Sequence, residues 1–166
     1  NSIKEIWKGK RIKFLRKYLK DSNFSLGCSK CEYLIKDNNY SAVVARIFDV
    51  TPVKKNYPSI LEFELSNKCN MECIMCSSYF SSSIEKKTTN IINTSVVYDD
   101  NFLKQLEEFI PHLSFARFYG GEPFLIEIYF KIWERIIKLN PHCCIFVQTN
   151  ASILNDRIKS ILQLGN

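Results

Sequence analysis

Cys69, Cys73 and Cys76 fall within the single run Cys69-Asn70-Met71-Glu72-Cys73-Ile74-Met75-Cys76, which puts three thiols on one short loop. Thiolates are soft ligands, suited to iron–sulfur clusters and to zinc. A cubane 4Fe–4S cluster is normally held by four of them. Three on one loop can hold three irons and leave the fourth open to another ligand, and an open iron is where chemistry can happen. The competing use is a closed zinc site, which needs a fourth Cys or His. His112 and His142 are the two histidines of the chain. Each lies beside a proline in a helix-to-strand connection, at the opposite end of the predicted strands from the cysteine loop.

Further along comes Tyr119-Gly120-Gly121-Glu122-Pro123, again after an apolar run. Such a turn can be purely structural, since Gly and Pro favour turns anywhere. Two glycines also let backbone approach a ligand without a Cβ in the way. Thr149-Asn150 closes the next apolar run and is uninformative alone. Glu62 and Glu64 share one face of a predicted strand. Cys143 and Cys144 sit in another strand, where the expectation is burial of both. Cys28-Ser29-Lys30-Cys31 is a separate Cys-x2-Cys pair, compatible with half a zinc ribbon or a redox pair.

The elements that position these residues follow from periodicity. A short helix over Ile3–Trp7 and a longer one to about Lys20 precede a loop carrying Cys28 and Cys31. A strand is expected at Ala42–Phe48, within a linker punctuated by Pro52 and Pro58. Ile60–Leu65 reads as a strand with Leu61, Phe63 and Leu65 on one face. A polar stretch from Ser77 to about Ser95 reads as a long loop. Asp99 or Asp100 caps a helix in which Phe102, Leu103, Leu106, Phe109 and Ile110 share one face. Leu113–Tyr119 and Cys143–Gln148 are further strands. Between them lies a helix burying Tyr129, Phe130, Ile132, Trp133, Ile136 and Ile137, and a last helix begins at Asn155. Strands alternating with helices predict βαβ units and a parallel sheet. All three motifs then lie at strand C-terminal ends.

Composition supports a globular α/β chain: 166 residues, 46% hydrophobic and 13% aromatic. Seven cysteines is an odd number, and a chain of this size does not need disulfide staples, so the expectation is a reducing, cytoplasmic setting. No stretch approaches the roughly 18 apolar residues of a membrane span. The net charge of +6 comes mostly from Lys4, Lys8, Lys10, Arg11, Lys13, Arg16, Lys17 and Lys20. These alternate with Ile12, Phe14, Leu15, Tyr18 and Leu19 at helical spacing, which reads as an amphipathic helix with a solvated basic face rather than a nucleic-acid patch.

Taken together, Cys-x3-Cys-x2-Cys and the Gly-Gly-Glu-Pro turn resemble the radical S-adenosylmethionine (radical SAM) superfamily. The resemblance covers about residues 59–166. It implies the first half of a partial (β/α)6 barrel, with a small helical, cysteine-bearing segment before it. It also implies that Cys69, Cys73 and Cys76 hold a 4Fe–4S cluster whose open iron chelates SAM, which an electron cleaves to a 5′-deoxyadenosyl radical. Gly120, Gly121, Glu122 and Pro123 would meet the methionine end of SAM, with Glu122 as a negative partner for a cation. Replacing Gly121 by Val would then weaken SAM binding and spare the iron. Met75 occupies the place where many members carry an aromatic residue near the adenine. Thr149 and Asn150 would line the cavity, with Ala151 where relatives often have glycine. Residues 2–34, with Ile6-Trp7, Leu15-Arg16 and then Cys28 and Cys31, resemble the closing part of a SPASM or twitch module, which carries auxiliary iron–sulfur clusters. The implied organisation is 1–34 as the tail of that module, 35–58 as linker and 59–166 as the core half. The start at Asn and the missing later motifs make the chain read as a fragment. The implied partners are a peptide or protein substrate and an electron donor such as flavodoxin or ferredoxin. The alternatives are a small-molecule radical enzyme or a non-catalytic zinc- or iron–sulfur-binding module.

Overall fold

The computed structural model describes residues 2–51, 54, 56–89 and 98–165. The chain divides into two compact units, one to Val53 and one from Lys54, and the division falls inside the stretch 35–58. Pro52 and the part of the polar stretch from 90 to 95 lie outside the described residues.

The first unit is helical. Helix α1, Ile3–Trp7, starts with a capping box: Ser2 Oγ accepts from the Glu5 N–H while the Glu5 carboxylate accepts from the Ser2 N–H. That satisfies two N-terminal donors that a helix cannot bond internally. Helix α2, Lys10–Lys20, carries six of the eight basic residues named above and buries none of its side chains. Arg16 lies over the Trp7 ring, 4.0 Å from its centroid. Helix α3, Ser29–Lys36, begins at Cys28 as its N-cap. Cys28 and Cys31 therefore sit on the first turn of a helix and not on a loop. The segment expected to be a strand at Ala42–Phe48 is instead two 3-10 turns, Tyr40–Ala42 and Val44–Phe48. Its β-branched residues have no neighbouring strand to pair with among the described residues, and a lone strand leaves its backbone groups unsatisfied.

The second unit holds strands β1 (Ile60–Phe63), β2 (Phe115–Phe118) and β3 (Cys144–Val147), parallel and in the order β1-β2-β3. Phe63, Phe118 and Val147 are in register across the sheet. Helices α4 (Ser82–Thr89) and α5 (Asp100–Glu107) come between β1 and β2, α6 (Glu127–Leu139) between β2 and β3, and α7 (Asp156–Leu164) after β3. Part of the polar stretch is thus helical: the Ser81 carbonyl and hydroxyl accept from the N–H groups of Glu85 and Ile84, opening α4.

The expected barrel half is not what forms. Among the described residues the sheet is open, with three strands and no further strand paired at the β1 or β3 edge. Closing a barrel takes more strands, tilted and staggered until the last pairs with the first. One face packs under helices: Phe63, Ala116 and Phe118 are buried with Leu103, Leu106, Tyr129, Ile132, Trp133 and Ile136. Phe118 is the hub. Its ring stacks on Phe63 at 4.8 Å and meets Tyr129 and Trp133 edge-on at 5.1 and 5.4 Å. The alternate residues, among them Glu62, Phe115, Cys144 and Phe146, are exposed. Burial of both Cys143 and Cys144 is therefore half right. Cys143, just before β3, is buried and burial pushes its thiol up to about 11, whereas Cys144 points from the uncovered face. No helix among the described residues is long and apolar enough to cross a membrane.

Tyr129 ties this core to the strand ends above it. Its hydroxyl accepts from the Leu65 N–H at 2.8 Å and faces the carbonyls of Tyr119 at 2.8 Å and Phe63 at 3.1 Å. Burial raises its pKa to about 12. A folded value above the unfolded one means its contribution is complete below about pH 10 and is lost as pH rises towards 12. Tyr129→Phe strands the Leu65 N–H and should cost about 1–3 kcal/mol at neutral pH, measured by urea unfolding. The gap between the two proteins should shrink above pH 10; a gap independent of pH would refute this reading of the hydroxyl.

Candidate functional site: a cysteine-lined cavity at the strand ends

A cavity of about 620 Å³ opens at the C-terminal ends of the three strands. Its walls include Cys69, Cys73 and Cys76 from the loop after β1, Gly120 and Gly121 from the turn after β2, and Thr149 and Asn150 from the turn after β3. Met75 is also there, almost fully exposed at 92%. Residues far apart in the chain meet because each parallel strand delivers its following turn to the same edge. Glu64, Met71, Phe80, Tyr119 and Gln148 complete the lining.

The cysteine loop is held from below by serines. Ser82 Oγ accepts from the Cys69 N–H at 3.1 Å, and the hydroxyl of Ser83 donates to the Cys69 carbonyl at 2.8 Å. Ser81 Oγ donates to the Met71 carbonyl at 2.7 Å. These serines lie in the stretch that reads as polar loop from sequence; only their run at the start of α4 signals a role. Cys69 Sγ accepts from the Met71 N–H at 3.4 Å.

The two glycines also have a structural purpose of their own. Gly120 and Gly121 have φ of +81° and +47°, the left-handed region that favours glycine. A Cβ on Gly121 would lie 2.2 Å from the Lys68 carbonyl oxygen, and one on Gly120 would lie 2.8 Å from that of Ser66. The turn thus nests against the backbone leading into Cys69, and the Glu122 N–H donates to the same Lys68 carbonyl at 2.8 Å. A side chain at Gly121 would strike the backbone leading into the cysteine loop first.

Glu122 and Pro123 do not line the cavity; both are fully buried. One Glu122 oxygen accepts from the Phe124 N–H at 3.0 Å and the Thr149 hydroxyl at 2.8 Å, and the other from the Asn150 N–H at 2.7 Å. Through those bonds the carboxylate ties its own turn to the turn after β3. Ala151 has φ of +55°, a strained position that glycine would relieve. Glu62 pairs with Arg117 at 3.0 Å. His112 stacks on Tyr57 at 3.8 Å and His142 is exposed, and neither borders the cavity.

All seven cysteines are free thiols. Among the described residues no three His, Cys, Asp or Glu side chains are gathered as a ready-made metal-ligand set. Three thiols on one loop, none in a disulfide and all lining one cavity, are a donor set that would suit a cluster drawing its ligands together on binding, as metal sites coupled to local ordering do. No family model, curated protein or solved structure matches this chain.

Proposed function

We propose that the second unit carries the cluster-binding part of a radical SAM enzyme. The observation that supports this best is the single cavity shared by Cys69, Cys73, Cys76, Gly120, Gly121, Thr149 and Asn150. In this reading Cys69, Cys73 and Cys76 supply three thiolates to a 4Fe–4S cluster. When bound, the cluster would pass one electron to SAM, splitting it into methionine and a 5′-deoxyadenosyl radical that takes hydrogen from a substrate. The chain's own residues shape the site around it. Gly120 and Gly121 give a wall without side chains, Thr149 and Asn150 offer polar groups beside it, and the thioether of Met75 is placed to adapt to an apolar ring. An electron donor such as flavodoxin or ferredoxin supplies the electron. The substrate is a peptide or protein, a choice supported by the resemblance of Cys28 and Cys31 to an auxiliary-cluster module.

Anaerobic reconstitution with iron and sulfide should give a brown protein with about four irons per chain, one cubane. After reduction, its electron paramagnetic resonance signal should change when SAM is added. Stoichiometric zinc with no SAM-sensitive iron signal would replace this reading with a structural zinc module.

A further inference from the structure

The Glu122 carboxylate is fully buried and all its bonds run to its own turn and the turn after β3, so it is spent on holding those two together. What the second turn does next is visible at Asn150. Its side-chain amide donates to Asn70 Oδ1 at 3.1 Å and reaches Cys69 Sγ at 3.9 Å, while its Oδ1 accepts from the Ser152 N–H at 2.9 Å. Asn70 in turn donates to Ser152 Oγ at 2.9 Å. A continuous polar chain therefore runs from a buried carboxylate, through the β3 turn, to the first cysteine of the metal loop.

We propose that Glu122 and Asn150 are positioning residues that latch the cysteine loop to the end of β3 before any cluster binds. The physical case is that the anchor is a fully buried carboxylate while most of the loop it reaches is exposed. Three donors converge on that one buried carboxylate, so the β3 turn is the stiff partner and the cysteine loop the one being held. Asn150 also brings a second N–H to Cys69 Sγ beside that of Met71. No such donor reaches Cys73 or Cys76 among the described residues, so Cys69 is the thiol the fold orients. The latch belongs to the metal-free chain; its purpose, presenting Cys69 to a cluster, rests on the function proposed above.

The test is hydrogen exchange on the metal-free protein, followed by mass spectrometry, for wild type, Glu122→Gln and Asn150→Ala. Glu122→Gln turns one acceptor into a donor facing a donor and threatens the fold. Asn150→Ala keeps its backbone N–H on Glu122 and loses only the exposed amide. Asn150→Ala should speed exchange across 67–76 about tenfold and leave α5 and α6 unchanged. With cobalt(II) as probe, the sulfur-to-cobalt charge-transfer band should weaken in Asn150→Ala relative to wild type. Unchanged exchange in 67–76, or an equal rise throughout the unit, would overturn the latch. If wild type takes up no iron, the function proposed above fails, and the latch is still judged by the exchange rates.

Discussion

Alanine at Cys69, Cys73 or Cys76, one at a time, should take the reconstituted chain from about four irons to nearly none, because two thiolates do not hold a cubane. All three sulfurs border one cavity on one loop, and among the described residues no spare cysteine borders it. The controls separate this from a general thiol effect. Cys143 is buried with its thiol pushed up to about 11, a poor ligand, and Cys144 is on the uncovered face, so alanine at either should leave the iron unchanged. Cys28 is the N-cap of α3 and Cys31 lies on its first turn, both in the first unit. Replacing both in the 166-residue chain should also leave the iron unchanged, since two thiolates do not suffice for an auxiliary cubane. Full iron in the Cys73→Ala chain would refute the assignment of the loop.

Gly121→Val should be the most damaging substitution outside the cysteines. A Cβ there meets the Lys68 carbonyl oxygen at 2.2 Å, its carbon at 2.7 Å and the Asn67 carbonyl carbon at 2.8 Å. These are backbone atoms, so nothing nearby can rotate away. The φ of +47° adds strain for any side chain and most for a β-branched one. Strain and forced displacement together should cost about 3 kcal/mol or more in urea unfolding. The displaced segment is the one that carries Cys69, so most of the iron should be lost as well. Gly27 isolates the two contributions: its φ is +100° but a Cβ there meets nothing within 4 Å. Gly27→Ala should cost only about 1 kcal/mol and leave the iron intact. Wild-type stability and iron in Gly121→Val would mean that the turn does not support the loop.

Much of the architecture is legible from spacing because its causes are local. The stripe Tyr129, Phe130, Ile132, Trp133 and Ile136 repeats at the period of a helix and is the buried face of α6. Asp99 and Asn155 cap α5 and α7 because a side-chain oxygen reaches an N–H three residues on. Alternation in β1 marks Phe63 as inward and Glu62 as outward. Local signals mislead where the outcome depends on a neighbour. Ala42–Phe48 has strand-like residues and, among the described residues, no strand beside it. Cys144 has strand alternation, but the face it points from is uncovered.

The cysteine spacing, the glycine pair and their place after strands are all readable in sequence, as is the chemistry such thiols could support. Whether the sheet closes is not. That depends on strand pairing, and among the described residues the sheet stops at three. Nor does sequence reveal what Gly121 and Glu122 do. The glycine makes room for the Asn67–Lys68 backbone, and the carboxylate is consumed by Thr149 and Asn150. The bond from Glu122 to Thr149 spans 27 positions and the contact from Asn150 to Cys69 spans 81. Periodicity and capping act over three or four residues. Contacts at these separations exist only because parallel strands bring distant turns to one edge, so the tertiary structure alone decides them.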